Sequence, residues 1–172
     1  KAIVALMLYC GLRTIEIHRA NYEHLRTEQN QLVLDVHGKG RLAADETVIL
    51  TNQALVTSIM DWIAARGQWN GALFVSFSDK NINSRLTTDA LRHIVKAYFK
   101  VSGIIGAKKS THSLRHTAIT NAIYNGASIQ KVQSMARHAN VSTTMRYFHE
   151  VDRLTNPAES YIDYGEEKDR KS

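Results

Sequence analysis

Apolar residues in the first stretch recur at helical spacing. Ile3, Leu6, Met7 and Cys10 lie on one side, and Gly11 can stop the helix behind them. A short helical turn, TIEIH, follows Arg13. The period then changes. QLVLDVH (31–37) and ETVIL (46–50) are rich in branched residues and flank GKGRLAAD, which predicts a β-hairpin; NYEHLR can add an edge strand. Residues 52–66 return to helical spacing, with Leu55, Ile59, Trp62 and Ile63 on one face. GQWNGALFVSFS reads as a loop with a short extended segment. Thr87 or Thr88 can cap a helix carrying Leu91, Ile94, Val95 and Tyr98.

Three further helices are expected. The first runs from about residue 112 to 125 and stops at Gly126. Ser128 caps the second, which carries Ile129, Val132, Met135 and Ala136 on one side. Ser142 caps a short third, STTMRY. Asn156-Pro157-Ala158-Glu159 then has the signature of a helix start, with Ala158, Tyr161 and Ile162 as a small apolar face. GEEKDRKS reads as a solvated, disordered tail. The fold class is therefore mainly α with one small antiparallel β-sheet. The expected division is 1–150 as the main domain, 151–164 as a C-terminal helix and 165–172 as the tail.

Composition narrows the possibilities. With 172 residues, 44% of them hydrophobic, the chain can bury one real core. Twenty-two basic against sixteen acidic residues give +6, which favours a polyanionic partner, nucleic acid first. The single cysteine, Cys10, excludes an internal disulfide and a multi-thiolate cluster, and suits a cytoplasmic setting. No apolar run reaches the roughly 20 residues that span a bilayer, so no membrane partner is expected. The opening KAIVALMLYCGLR lacks the charge and cleavage site of a signal peptide. It reads as a helix entered part-way along, with a further segment before it.

The chemistry concentrates in THSLRHTAIT (111–120). His112, Arg115 and His116 are spaced i, i+3 and i+4, so they share a helix face, while Leu114, Ala118 and Ala122 form a different, apolar stripe. A solvated polar face is one reading. A zinc pair from His112 and His116 is another, but no glutamate occupies the second position, and Arg115 between the ligands would repel the cation. The third is an anion site, with Arg115 forking onto phosphate oxygens beside a histidine. Elsewhere, Arg13 follows a glycine in GLR, Lys39 lies in GKG at the hairpin tip, His138 lies in ARHAN, and Tyr147 follows nine residues later in TTMRYFH. The GKG sequence lacks the glycine spacing of a phosphate-binding P-loop.

Taken in order, GLR, GKG on a hairpin, HSLRHT and the H-x8-Y of RHANVSTTMRY resemble the catalytic domain of tyrosine recombinases, the phage-integrase family. The resemblance spans residues 1–150 and is most specific from Thr111 to His149. It implies site-specific DNA recombination, as integration or excision. Tyr147 would attack the phosphate and form a 3′-phosphotyrosyl link. Arg13 and Arg115 would clamp the non-bridging oxygens, and His112 and His138 would donate hydrogen bonds or move protons. Lys39 would protonate the leaving 5′-oxygen. With these fixed cations no metal or other cofactor is expected. Glu16 either orients Arg13 or is a helix-dipole charge. Candidate DNA contacts are Lys39, Arg41, Lys108, Lys109 and Arg137. A glycine usually stands where this chain has Arg137, and the basic residues and proline usual after GKG are replaced by LAADETVIL. If position 137 needs positive φ, arginine there costs about 1 kcal/mol or more.

The partners implied are double-stranded DNA with specific recombination sites and a missing N-terminal DNA-binding domain. A homo-tetramer on DNA is implied as well, with the segment around Tyr161 and Ile162 docking on a neighbouring protomer or on its own domain. Two other readings stay open at this point. A type IB topoisomerase would use similar chemistry without a defined site. A non-catalytic helix-turn-helix DNA binder would use ITNAIYNGASIQKVQSMARH, with Gly126 in the turn.

Overall fold

The computed structural model describes residues 1–38, 40, 43–106 and 109–163. Helix α1 (Ala2–Cys10) is apolar nearly all round, as a helix enclosed by others must be. It packs against α3 (Gln53–Arg66), α4 (Thr88–Val101) and α5 (Thr111–Tyr124). Leu6 and Met7 are fully buried at its centre. Its end has a left-handed residue, Gly11, at φ 60°, and the Leu12 amide returns to the Leu6 carbonyl at 3.4 Å. Chain direction then reverses into α2 (Thr14–Arg19), with Arg13 extended at its N-cap.

A three-stranded antiparallel sheet, order β1-β2-β3, follows: β1 Leu25–Glu28, β2 Gln31–Val36 and β3 Glu46–Ile49. Gln29 and Asn30 both take positive φ in the two-residue β1–β2 turn, matching the twist of the paired strands. Leu34 of β2 lies opposite Val48 of β3, and both are buried with α1, α3 and α4 in the main core. The expected edge strand is shorter than NYEHLR, because Tyr22–His24 form a 3-10 turn.

A second, smaller core joins α5 to α6 (Ile129–Ala136) and α7 (Val141–Thr155) through Ile119, Ile123, Val132, Ala136 and Val151. Ser128 caps α6 as expected. The expected short helix STTMRY is instead the first part of the 15-residue α7. Its cap is Asn140, whose Oδ1 accepts the Ser142 amide at 2.8 Å, so Ser142 lies inside the helix. This helix crosses position 150 without a break and buries Val151. The expected helix from Pro157 is a single 3-10 turn, Ala158–Tyr161, without buried residues. Pro157 fits a helix start, but no apolar face behind it is covered, and a short helix without packing is not stable. The tail, 165–172, lies outside the described residues. Among the described residues no helix is long and apolar enough to cross a membrane.

Candidate active site

Two interhelical turns and one helix start build the site: the α1–α2 turn with Arg13, the α6–α7 turn with Arg137 and His138, and the first turns of α5 with His112 and Arg115. Tyr147 comes two turns into α7. The ends of α1 and α6 are the key elements. A helix C-terminus leaves carbonyls without partners and carries partial negative charge. Arginine donors fill both ends.

Arg115 is the centre. Its side chain was expected on the polar face of α5, yet the residue is only 3% exposed. Its Nη1 donates to the Gly11 carbonyl at the end of α1, and its Nη2 to the Ala136 carbonyl at the end of α6. Spacing along one helix could not show this, because the acceptors belong to other helices. Burial, followed by the neighbouring charges of Arg13 and Arg137, pushes the Arg115 guanidinium down to about 10. It stays charged at neutral pH.

Arg13 reaches the same place. Its Nη2 donates to the Ala136 carbonyl at 3.4 Å and to the Arg137 carbonyl at 3.2 Å. Its Nη1 donates to Glu16 Oε1 at 2.5 Å, and its own amide donates to Glu16 Oε2 at 2.7 Å. Glu16 is therefore no surface charge on α2: it is 1% exposed and holds Arg13 through both backbone and side chain. Arg13, His112 and Arg115 line one cleft of about 320 Å³ with Thr14, Arg92 and Thr111. His112 is exposed there, while Arg115 is buried.

His138 and Tyr147 lie close together. Their rings stack at 6.0 Å between centroids, with planes 20° apart. The Tyr147 ring also lies 5.1 Å from that of His116, tilted by 58°, and His116 Nε2 is 3.6 Å from Glu150 Oε2. Sequence reasoning assigned His116 no part beside Tyr147; the residues are 31 positions apart, and no spacing rule links them. His138 Nδ1 pairs with Thr144 Oγ1 at 2.9 Å, and Thr144 is fully buried. Burial first, then Arg115, Arg13, Arg137 and Arg146, lower the His138 imidazole to about 4. It is neutral at pH 7.

Arg137 departs from its expected role as a DNA contact. Its side chain is 5% exposed and turns inward, donating to the Met135 and Gly11 carbonyls and to both oxygens of Glu16. Its φ of 52° is left-handed, as a glycine position would be. Lys109 is exposed. Lys39, Arg41 and Lys108 lie outside the described residues. Tyr161, a second tyrosine toward the C-terminal end, is 73% exposed and donates through its hydroxyl to Asn156 Oδ1 at 2.7 Å. Tyr164 lies outside the described residues. Among the described residues no group of three or more His, Cys, Asp or Glu side chains is placed to hold a metal ion.

This arrangement of two guanidiniums, two imidazoles and a phenol can hold a phosphate between cations and present a nucleophile to it. Comparison with known proteins points the same way. Residues 1–153 match the phage integrase family. The chain is 33% identical over 153 residues to tyrosine recombinase XerC of Caldanaerobacter subterraneus subsp. tengcongensis, covering 86% of this chain and 40% of that protein. It is 32% identical over 146 residues to tyrosine recombinase XerA of Pyrococcus furiosus, covering 84% of this chain and 48% of that protein. The chain thus spans less than half the length of these relatives. Among solved structures, XerA recombinase superposes with a TM-score of 0.72 at 26% identity, over 91% of this chain and 57% of that one. XerH site-specific recombinase, in a post-cleavage complex with a palindromic difH substrate, gives 0.75 at 21% identity, over 92% of this chain and 44% of that one. The latter likeness is one of fold.

Proposed function

The chain belongs to the phage integrase family, and from that premise we propose that it breaks and rejoins DNA at specific sites through a phosphotyrosyl intermediate. Tyr147 attacks the scissile phosphate. Its phenol oxygen bonds to phosphorus, the bond to the 5′-oxygen breaks, and that oxygen leaves protonated. Religation reverses the step with the 5′-hydroxyl of another strand, so bond energy is conserved without a nucleotide cofactor.

The observation that carries this reading is the shared acceptor. Arg13 and Arg115 converge on the Ala136 carbonyl, next to a turn whose following residues are His138 and Tyr147. Charge grows on the phosphate oxygens in the transition state, and two fixed guanidiniums stabilise it without reorganising. His112 and His138 donate to those oxygens or move protons. Lys39 of the GKG sequence is the general acid. The chemistry calls on fixed cations rather than a divalent metal. By the same family reading, the partner is double-stranded DNA bearing recombination sites, with a homo-tetramer on DNA and a separate N-terminal DNA-binding domain. The segment at Tyr161 and Ile162 meets a neighbouring protomer; both side chains are exposed on this domain.

The test is covalent trapping. The full-length protein is incubated with nicked duplex DNA carrying a site that the protein selects from a random-sequence pool, then denatured in detergent. A DNA-linked band is expected from the wild type and not from Tyr147→Phe. A band that persists in the variant moves the nucleophile to Tyr161 or Tyr164. Binding without any band leaves a non-catalytic DNA binder.

A further inference from the structure

We infer that Arg137 is a positioning residue of the active site: it braces the α1–α2 turn against the α6–α7 turn and thereby holds Arg13 and Arg115 ready for phosphate. The inference rests on the recombinase reading above.

The brace starts from a strained backbone. Arg137 ends α6 at φ 52° and ψ 49°, where most side chains are disfavoured and glycine is at ease. Placed there, its side chain turns back under the turn, away from the solvent, and each of its three nitrogens donates to a partner. Nη1 takes the Met135 carbonyl at 2.6 Å. Nη2 takes the Gly11 carbonyl at 3.2 Å and Glu16 Oε2 at 2.8 Å, and Nε takes Glu16 Oε1 at 3.3 Å. Glu46 Oε2, also buried, lies 3.9 Å from Nε.

Two of these partners, the Gly11 carbonyl and the Glu16 carboxylate, also serve another catalytic candidate. The Gly11 carbonyl is shared with Arg115. Both oxygens of Glu16 are shared with Arg13, through its amide and its Nη1. The Glu16 carboxylate therefore receives four donors, two from each arginine, and is fully satisfied although buried. Burial works to raise the Glu16 carboxyl, yet the charge and hydrogen bonds of Arg137, with those of Arg13, hold it below the ordinary carboxylate range.

Without Arg137, Glu16 would face Arg13 alone. A buried carboxylate with one cation draws that cation fully onto itself. Arg13 would then lean toward Glu16, and the Gly11 carbonyl would depend on Arg115 alone. Both phosphate-facing groups would lose their fixed positions. Arg137 itself offers no exposed donor to DNA. Its effect should therefore fall on the rate of cleavage and not on DNA affinity. A displacement of about 1 Å in a catalytic group can cost 100-fold in rate.

The experiment measures DNA dissociation constants and single-turnover rates of covalent adduct formation. It uses the full-length protein and the nicked duplex described above, for the wild type, Arg137→Gly and Arg137→Lys. Glycine relieves the backbone strain while removing the guanidinium; lysine keeps the charge but not the fork. The expected result is a cleavage rate down by at least about tenfold in both, with unchanged affinity. In Arg137→Gly, added ethylguanidinium should partly restore the rate where sodium chloride of equal ionic strength does not. A wild-type rate in either variant, or a loss confined to affinity, overturns the inference. If Arg137→Gly loses its cooperative melting transition, the lysine variant decides by the same two measurements. An adduct from the wild type with unaffected Arg137 variants defeats this inference only; no adduct from the wild type defeats the recombinase reading, and this inference with it.

Discussion

Arg13 and Arg115 donate to one and the same oxygen, the carbonyl of Ala136 at the end of α6. Residues 102 positions apart in the chain are thus set side by side by a third element. Two guanidiniums so close repel each other, and the lowered Arg115 value records that repulsion beside the larger effect of burial. The ends of α1 and α6 and the Glu16 carboxylate offset it. A phosphate entering the cleft meets cations that are already in place, which is how an enzyme avoids reorganisation at the moment of reaction.

Arg115→Lys should leave the fold largely intact and lower single-turnover cleavage by about 100-fold or more. An ammonium can reach one carbonyl but cannot span Gly11 and Ala136 together. Arg115→Met, which leaves both carbonyls without this donor, should cost about 2 kcal/mol of stability. Rapid-quench assays and urea melts of the two variants check both statements.

Glu16→Gln should cost about 3 kcal/mol at pH 7, because Arg13 and Arg137 then lack their buried counter-charge. The pH dependence has a definite sign. The Glu16 carboxyl is lowered from 4.5, so its contribution is complete above that value and is lost as pH falls through the lowered one. Urea melts between pH 7 and pH 3 should show a shallower acid loss in the variant than in the wild type.

His138 predicts a separate acid limb. Its imidazole is lowered from 6.5 to about 4, so the unfolded chain takes up its proton first. Stability should be fully present above pH 6.5 and decline as pH falls toward 4, and His138→Gln should remove that part of the slope. A bound phosphodiester would offset the surrounding arginines and raise the imidazole again. DNA binding near pH 5.5 should therefore take up a proton, read as a buffer-dependent binding enthalpy that His138→Gln abolishes.

Gly11→Ala isolates the backbone term. A Cβ there would meet nothing closer than 3.7 Å, so the cost is the φ of 60° alone, about 1 kcal/mol. A thermal melt should show that loss with cleavage preserved. A much larger loss would mean that the turn carrying Arg13 has moved.

Much of the fold was legible because local chemistry is decisive there. The apolar spacing of Ile3, Leu6, Met7 and Cys10 marked α1, Gly11 marked its end, and Ser128 marked the start of α6. The misreadings share one cause. Ser142 and Asn140 are both good caps, and only packing selects Asn140; likewise, only the buried contact at Val151 carries α7 past residue 150. The helix expected from Pro157 had the right first residues and nothing to pack on.

Helix periods and the hairpin are legible along the chain, and its motifs imply the ordered set Arg13, Lys39, His112, Arg115, His138 and Tyr147. The elements follow from spacing and residue type, which act over a few positions; the set follows from the resemblance to tyrosine recombinases. What the arginines touch emerges only when the helices pack. Arg115, expected on a polar face, is buried between two helix ends; Arg137, expected at DNA, is turned onto Glu16; Glu16 is the anion between Arg137 and Arg13. Their partners are backbone carbonyls and a carboxylate brought from up to 126 positions away. Carbonyl groups have no signature in the residue code, so their placement exists only once the helices have packed.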